Sequence, residues 1–344
     1  MIKITKIFSF LIILLPVTAL GHVKWFVDSE KVIAASHNTT PFYYLTSKEV
    51  IIWSIISVFV VLVFSVLDRL VPFPKAILAF GEKHKNKIDK VAAKLFGLFL
   101  VTVSLVWHLV LVPDLPINSS LTYILGICEV LLGIMFIFYI TPFVTSCAFV
   151  CLYFSLVFLT PPLVFFENIM MLTIGLYFLI RNAPFGSFLS QLDKHSVEIV
   201  RVGTGISLII FAFTEKLSYP ELGLSFLEIH HWNFMYNIGF TWFTDKLFVL
   251  STGFAEMIFG IIFILGYLTR INTILIASFF AMSVVTMAVG FGQWEVEDLV
   301  VYVAAILFVF YGHGKTKFFY YFWPESVLHT KNIKGLFKYL FFKV

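Results

Sequence analysis

The chain is poor in charge. Asp, Glu, Lys and Arg supply 13% of its 344 residues, about half of what a soluble domain carries. That scarcity excludes an ordinary water-soluble fold. Cysteine is scarce too: Cys128, Cys147 and Cys151 all sit in apolar runs. No extracytoplasmic disulfide framework can be built from them, and they do not identify a redox compartment. At that helical spacing they read as small apolar packers rather than soft-metal ligands. No P-loop, dinucleotide fingerprint, CxxCH or HExxH motif is present, which argues against a nucleotide, haem or iron–sulfur centre within this chain.

What is abundant is apolar bulk: 60% apolar residues, 42 of them phenylalanine, and a mean hydropathy of +0.97. In lipid each span must satisfy its own backbone hydrogen bonds, so the expected class is all-α, a polytopic transmembrane helical protein. Lys3 and Lys6 precede a short apolar run from Phe8 to Leu20, and Ala19-Leu20-Gly21 follows. This predicts a signal peptide over 1–21, with an uncleaved tenth span as the alternative. Nine spans are expected near 49–71, 92–113, 120–140, 143–160, 167–182, 199–219, 246–267, 271–291 and 297–313. With residue 22 outside, 17 Lys/Arg fall on the cytoplasmic side and five (Lys24, Lys31, Lys48, Lys216, Lys246) on the outer side, the asymmetry of the positive-inside rule. The net charge of +4 thus reflects orientation, and no nucleic-acid footprint is present.

Two stretches look like one unit written twice. CEVLLGIMFIFY (128–139) matches AEMIFGIIFILG (255–266), with Glu129 and Glu256 each four residues before a glycine. ENIMMLTIGLYFLI (167–180) matches EDLVVYVAAILFVF (297–310). The segmentation that follows is an extracytoplasmic segment over 22–47, a first span and basic loop over 48–90, a degenerate four-helix repeat over 91–183, a second over 184–314, and a basic aromatic cytoplasmic tail over 315–344. Two parallel four-helix-bundle repeats plus one N-terminal span are expected, with chemistry at their seam.

Ionisable residues at membrane depth are costly, so each needs a partner or a role. Lys216, preceded by Glu215, sits near the outer end of an outward-running span; Glu256 lies mid-span in the next one. A long lysine stem can join them. The first repeat offers His108 and Glu129 at matching places. Each pair reads either as a proton relay or head-group clamp, or as a structural salt bridge. Glu167 and Glu297 recur at the outer mouth, near Glu295 and Asp298, where acids also complement helix N-termini. Arg201 and Arg270 read as cytoplasmic anchors. The outer loop 220–245, rich in Trp, Phe and His, reads as an interfacial cap; its adjacent His230 and His231 suit a shared metal poorly. Cleavage after Gly21 would expose His22 with a free amine, and His37 could complete a copper-binding brace.

RVGTGISLIIFAFTEKL (201–217), LSTGFAEMIFGIIFILGYLTRI (250–271) and a closing helix ending in Tyr311-Gly312 carry a further likeness. The stretch from Val200 to Gly312 resembles the DoxX family of small four-helix membrane proteins. The family's opening arginine, late lysine, mid-helix glutamate and second arginine fall on Arg201, Lys216, Glu256 and Arg270. Residues 93–182 look like a decayed copy, with His108 in place of the lysine. The resemblance implies a multi-pass protein of the bacterial inner (plasma) membrane that serves as a quinone-linked redox subunit or as the membrane anchor of a redox complex. An extracytoplasmic partner subunit would deliver electrons, and an oligomer is compatible with this reading. Glu256, Lys216 and Glu215 are the expected catalytic residues, with Glu129, His108 and Glu297 joining Glu256 and Lys216 around the quinone. The rival expectation is a non-enzymatic membrane scaffold or a metal- or small-ligand-handling component that uses the outer loop and His22.

Overall fold

In the computed structural model, residues 47–70, 75–218, 220–286 and 298–314 are described. The expected signal peptide, the outer segment as far as residue 46 and the basic tail from residue 315 lie outside them. Fifteen α-helices are found among the described residues. In chain order they are α1 (Lys48–Leu70), α2 (Lys75–Lys83), α3 (Lys85–Val106), α4 (Ser120–Ile137), α5 (Pro142–Phe154), α6 (Leu156–Leu159), α7 (Pro162–Glu167), α8 (Ile169–Arg181), α9 (Phe188–Gln191), α10 (Ser196–Phe211), α11 (Pro220–His230), α12 (Phe234–Asn237), α13 (Asp245–Leu265), α14 (Thr269–Thr286) and α15 (Asp298–Tyr311). A short antiparallel hairpin, β1 (Leu109–Val110) and β2 (Val112–Pro116), follows α3. Local signals place several ends. Ser119 and Thr122 form a capping box that starts α4, Pro142 opens α5, and the Thr244 side chain accepts from Leu247 N–H at the start of α13.

Among the described residues, five helices are long and apolar enough to cross a membrane: Lys48–Asp68, Ser120–Ile137, Pro142–Leu159, Asp193–Leu217 and Asp245–Leu265. Ile169–Arg181, Thr269–Ala281 and Leu299–Tyr311 are apolar but shorter. Large apolar side chains such as Ile55, Phe59, Leu105, Tyr123 and Val144 face outward. Such a surface belongs against a lipid bilayer, where outward apolar groups carry no penalty.

Close packing occurs where side chains are missing. α3 crosses α4 at Gly97 and Gly133: a methyl added to Gly133 would come within 2.7 Å of the Gly97 carbonyl oxygen. α10 crosses α13 at Gly205 and Gly260 in the same way, with 2.6 and 2.7 Å from each added methyl to the facing carbonyl oxygen. Small residues let backbones approach where burial of apolar surface supplies no net drive between helices in lipid. Around the first crossing, Phe96, Phe136, Phe149 and Phe178 from α3, α4, α5 and α8 interlock, with ring centroids 4.9–5.6 Å apart for three of the pairs. α8 packs on α10 and α15 packs on α3, so the two halves of the chain are interlocked. α1 lies along α13: Val50 packs with Leu250 and Phe254, and Asp68 accepts from Leu268 N–H at 2.8 Å.

The starts of α3 and α10 and the stop of α15 share one end of the molecule. Tyr311 donates to Asp89 near the start of α3, and Arg201 near the start of α10 donates to the His313 carbonyl. This will be called the Asp89 end. The other will be called the Lys216 end.

Candidate functional site

At the Lys216 end α10 does not stop as an α-helix. It widens into a π-helical turn over Ala212–Leu217, and Ser218 N–H donates to the Phe213 carbonyl at 2.8 Å. Thr214, Glu215, Lys216 and Leu217 are all buried there. Single π turns inside α-helices recur at functional sites because the extra residue re-aims side chains that a regular helix would splay apart. Room for this turn comes from Gly253 on α13, where a methyl would meet the Lys216 Cβ at 3.0 Å and the Leu217 side chain at 2.8 Å. The lysine stem therefore passes over Gly253, and its ammonium reaches Glu256 one turn further along.

Lys216 Nζ lies 2.8 Å from Oε1 and 2.9 Å from Oε2 of Glu256, and 3.7 Å from Oε2 of Glu215. The lysine and Glu215 side chains are each 1% exposed and that of Glu256 is 9% exposed. One buried cation thus stands between two buried carboxylates. Such a group can hold a polar head group by charge-assisted bonds and can exchange a proton with it, because the pair is already desolvated.

The matching place near Glu129 is built differently. Glu129 Oε2 accepts from the Ser104 hydroxyl and from Leu111 N–H, each at 3.0 Å. Its Oε1 has no hydrogen-bond partner among the described residues. His108 does not face Glu129 as expected. α3 ends at Val106, and His108 and Leu111 both adopt left-handed backbone angles (φ 55 and 62). That turn leaves the His108 side chain exposed and folds the hairpin inward, with Val110, Leu111 and Val112 fully buried. The backbone N–H of Leu111 occupies the role that the lysine ammonium has in the other half.

Of the remaining expected site residues, Glu167 is buried at the end of α7. Glu297, Glu295, His22 and His37 lie outside the described residues. His230 is buried against Phe226, with centroids 4.6 Å apart, and burial pushes its imidazole below the ordinary histidine range. Its neighbour His231 is exposed with φ 49, so the two rings part, as their adjacency suggests. Among the described residues no group of three or more His, Cys, Asp or Glu is placed to hold a metal ion. The three cysteines are exposed on the apolar surface rather than buried as packers.

Sequence reasoning missed two arrangements at the Asp89 end. Arg201 is buried and donates to the carbonyls of Phe263 and Ile264 at the end of α13, while Arg270 donates to the Val309 carbonyl at 2.9 Å at the end of α15. Both neutralise helix C-termini rather than simply facing the aqueous side. Asp89 is buried and accepts from Tyr177 at 2.6 Å, Tyr311 at 2.7 Å and Arg181 Nε at 3.2 Å, and Arg181 also reaches Asp193 at 2.6 Å. A lone acid within a basic run was the available signal. A cavity of about 30 Å³ between α8, α10, α13, α14 and α15 is lined by Thr204, Ser207, Phe211, Phe263 and Thr273 among others. It holds about one water, and none of Glu215, Lys216 and Glu256 lines it.

No protein-family model, curated protein or solved structure matches this chain. The reading of its function therefore rests on its own residues.

Proposed function

We propose that this chain is a DoxX-like inner-membrane protein made of two like-oriented four-helix units, and that the Glu215–Lys216–Glu256 trio binds and protonates the head group of a quinone within a redox complex. The observation that carries the reading is the trio itself: one lysine on a π-helical turn, shared by its neighbour Glu215 and by Glu256 of α13, both buried. Buried ionic groups at membrane depth are costly to keep, so they mark sites of ligand or proton handling. A quinone carbonyl accepts from the ammonium, and a carboxylate beside it relays the proton that reduction consumes. Electrons would come from an extracytoplasmic partner.

Several observations support the doubling. Glu129, Gly133, Tyr139 and Thr141 correspond to Glu256, Gly260, Gly266 and Leu268, each pair 127 residues apart. In both turns the last two members have positive φ: 55 and 38 for Tyr139 and Thr141, 79 and 39 for Gly266 and Leu268. The like orientation is favoured by α3 and α10 both starting at the Asp89 end. The distribution of Lys and Arg favours a cytoplasmic position for that end.

A second reading has its own observation. Both oxygens of Glu256 are already held by Lys216. In a membrane scaffold the pair would be a lock between α10 and α13. The two separate on one experiment. Lipid-soluble material extracted from the protein, purified in mild detergent, is assayed for quinone. The wild type retains about one quinone per chain, and Glu256→Gln loses it. Equal quinone in both, or none in either, favours the lock.

A further inference from the structure

Unpaired cations line one face of α3. Lys87, Lys90 and Lys94 follow one another at helical spacing and all three are exposed. No ion pair among the described residues involves them. The acid within the same run, Asp89, is turned inward and taken by Tyr177, Tyr311 and Arg181, so it does not neutralise the stripe. Lys90 lies over the ring of Tyr139, 5.8 Å from its centroid, and the Tyr139 hydroxyl is fixed on Asn182 at 2.9 Å. The middle lysine is thereby seated on a held aromatic face.

The stripe continues into apolar residues. Leu98 (45%) and Leu105 (58%) remain exposed further along the helix, and Val91 flanks the lysines. Lys87 and Lys94 are about 10 Å apart along the axis. Three ammonium groups at one end of a helix face with exposed aliphatic residues below them have the polarity of a lipid: anionic head group at the end, acyl chain along the shaft. The equivalent positions at the start of α10 are His195, just before it, Glu198 and Val202, and there His195 is bonded to Glu198 at 2.6 Å, so the lysine stripe is not repeated there.

We propose that the Lys87–Lys90–Lys94 face of α3 is a binding site for an anionic phospholipid, its phosphodiester held by the three ammonium groups and its acyl chain lying along Leu98 and Leu105. Charge complementarity selects an anionic over a zwitterionic head group, and the aliphatic continuation selects a lipid over a soluble phosphate. Lys94, two turns in from Lys87, reaches the head group by running its stem back along the helix surface.

The test is lipid binding to the full chain in detergent, followed by native mass spectrometry with phosphatidylglycerol or phosphatidylcholine. The wild type is expected to retain phosphatidylglycerol over phosphatidylcholine. Lys87→Gln/Lys90→Gln/Lys94→Gln should reduce retained phosphatidylglycerol at least about fivefold, while the triple Arg variant keeps it. Equal retention of both lipids, an unchanged triple Gln variant, or displacement of phosphatidylglycerol by millimolar inorganic phosphate would overturn the proposal. Glu256→Gln, which tests the quinone reading, should leave this lipid binding intact, so the two fail independently.

Discussion

Lys216 carries one positive charge toward two carboxylates, and its removal leaves acids desolvated with no counter-charge. Lys216→Met is therefore expected to destabilise the detergent-solubilised protein by roughly 3–5 kcal/mol. Replacing both members, Lys216→Met with Glu256→Leu, should recover only the part of that loss due to Glu256, because an apolar pair of similar volume is close to neutral while Glu215 stays buried without the lysine. Thermal unfolding followed by circular dichroism reads both; an unchanged melting temperature for Lys216→Met would mean the ammonium is solvated and the pair is not a desolvated centre. The pair itself was legible in the sequence, since a lysine near the end of one apolar run and a glutamate in the middle of the next leave few alternatives. His108 was not: whether a helix runs two residues further depends on left-handed backbone at His108 and Leu111, a conformation that leucine in particular rarely adopts. Arg201 and Arg270 looked like aqueous anchors because hydropathy cannot distinguish a cation facing water from one capping a neighbouring helix.

At the scale of elements, the glycines decide how near the helices come. Gly205 and Gly260 lie face to face across α10 and α13, and α13 also brings Glu256 to Lys216. Gly205→Leu would press a side chain into the Gly260 carbonyl and force the two helices apart, costing roughly 1–3 kcal/mol and loosening the ion pair. Its melting temperature should fall, and an unaltered value would show that the crossing is not close-packed. The turns between paired helices were readable from the matching stretches, and the helices α4, α5 and α13 fall near their expected spans. The second expected span, 92–113, was misplaced. α3 begins at Lys85 and ends at Val106, and Val110 to Val112 form the buried hairpin instead. An apolar run reports burial alone, so a strand buried beneath helices continues the hydropathy signal of the helix before it.

Across the whole molecule, the halves exchange neighbours: α8 packs on α10 and α15 on α3. The Asp89 network ties α3, α8 and α15 at one end, while the Lys216 trio joins α10 to α13 at the other. Composition foretold apolar helices of membrane-crossing length, but this exchange leaves no local pattern in the chain. Which helix of one half meets which of the other is settled by side-chain fit over long sequence separations. If the ionic trio is where a quinone head group is held and protonated, reduction must perturb a carboxyl group there. The most direct measurement is the quinol-minus-quinone infrared difference spectrum of the reconstituted protein. A carboxyl band that vanishes in Glu256→Gln and persists in Glu167→Gln is the predicted result. A spectrum with no carboxyl band, or with one that survives Glu256→Gln, contradicts it.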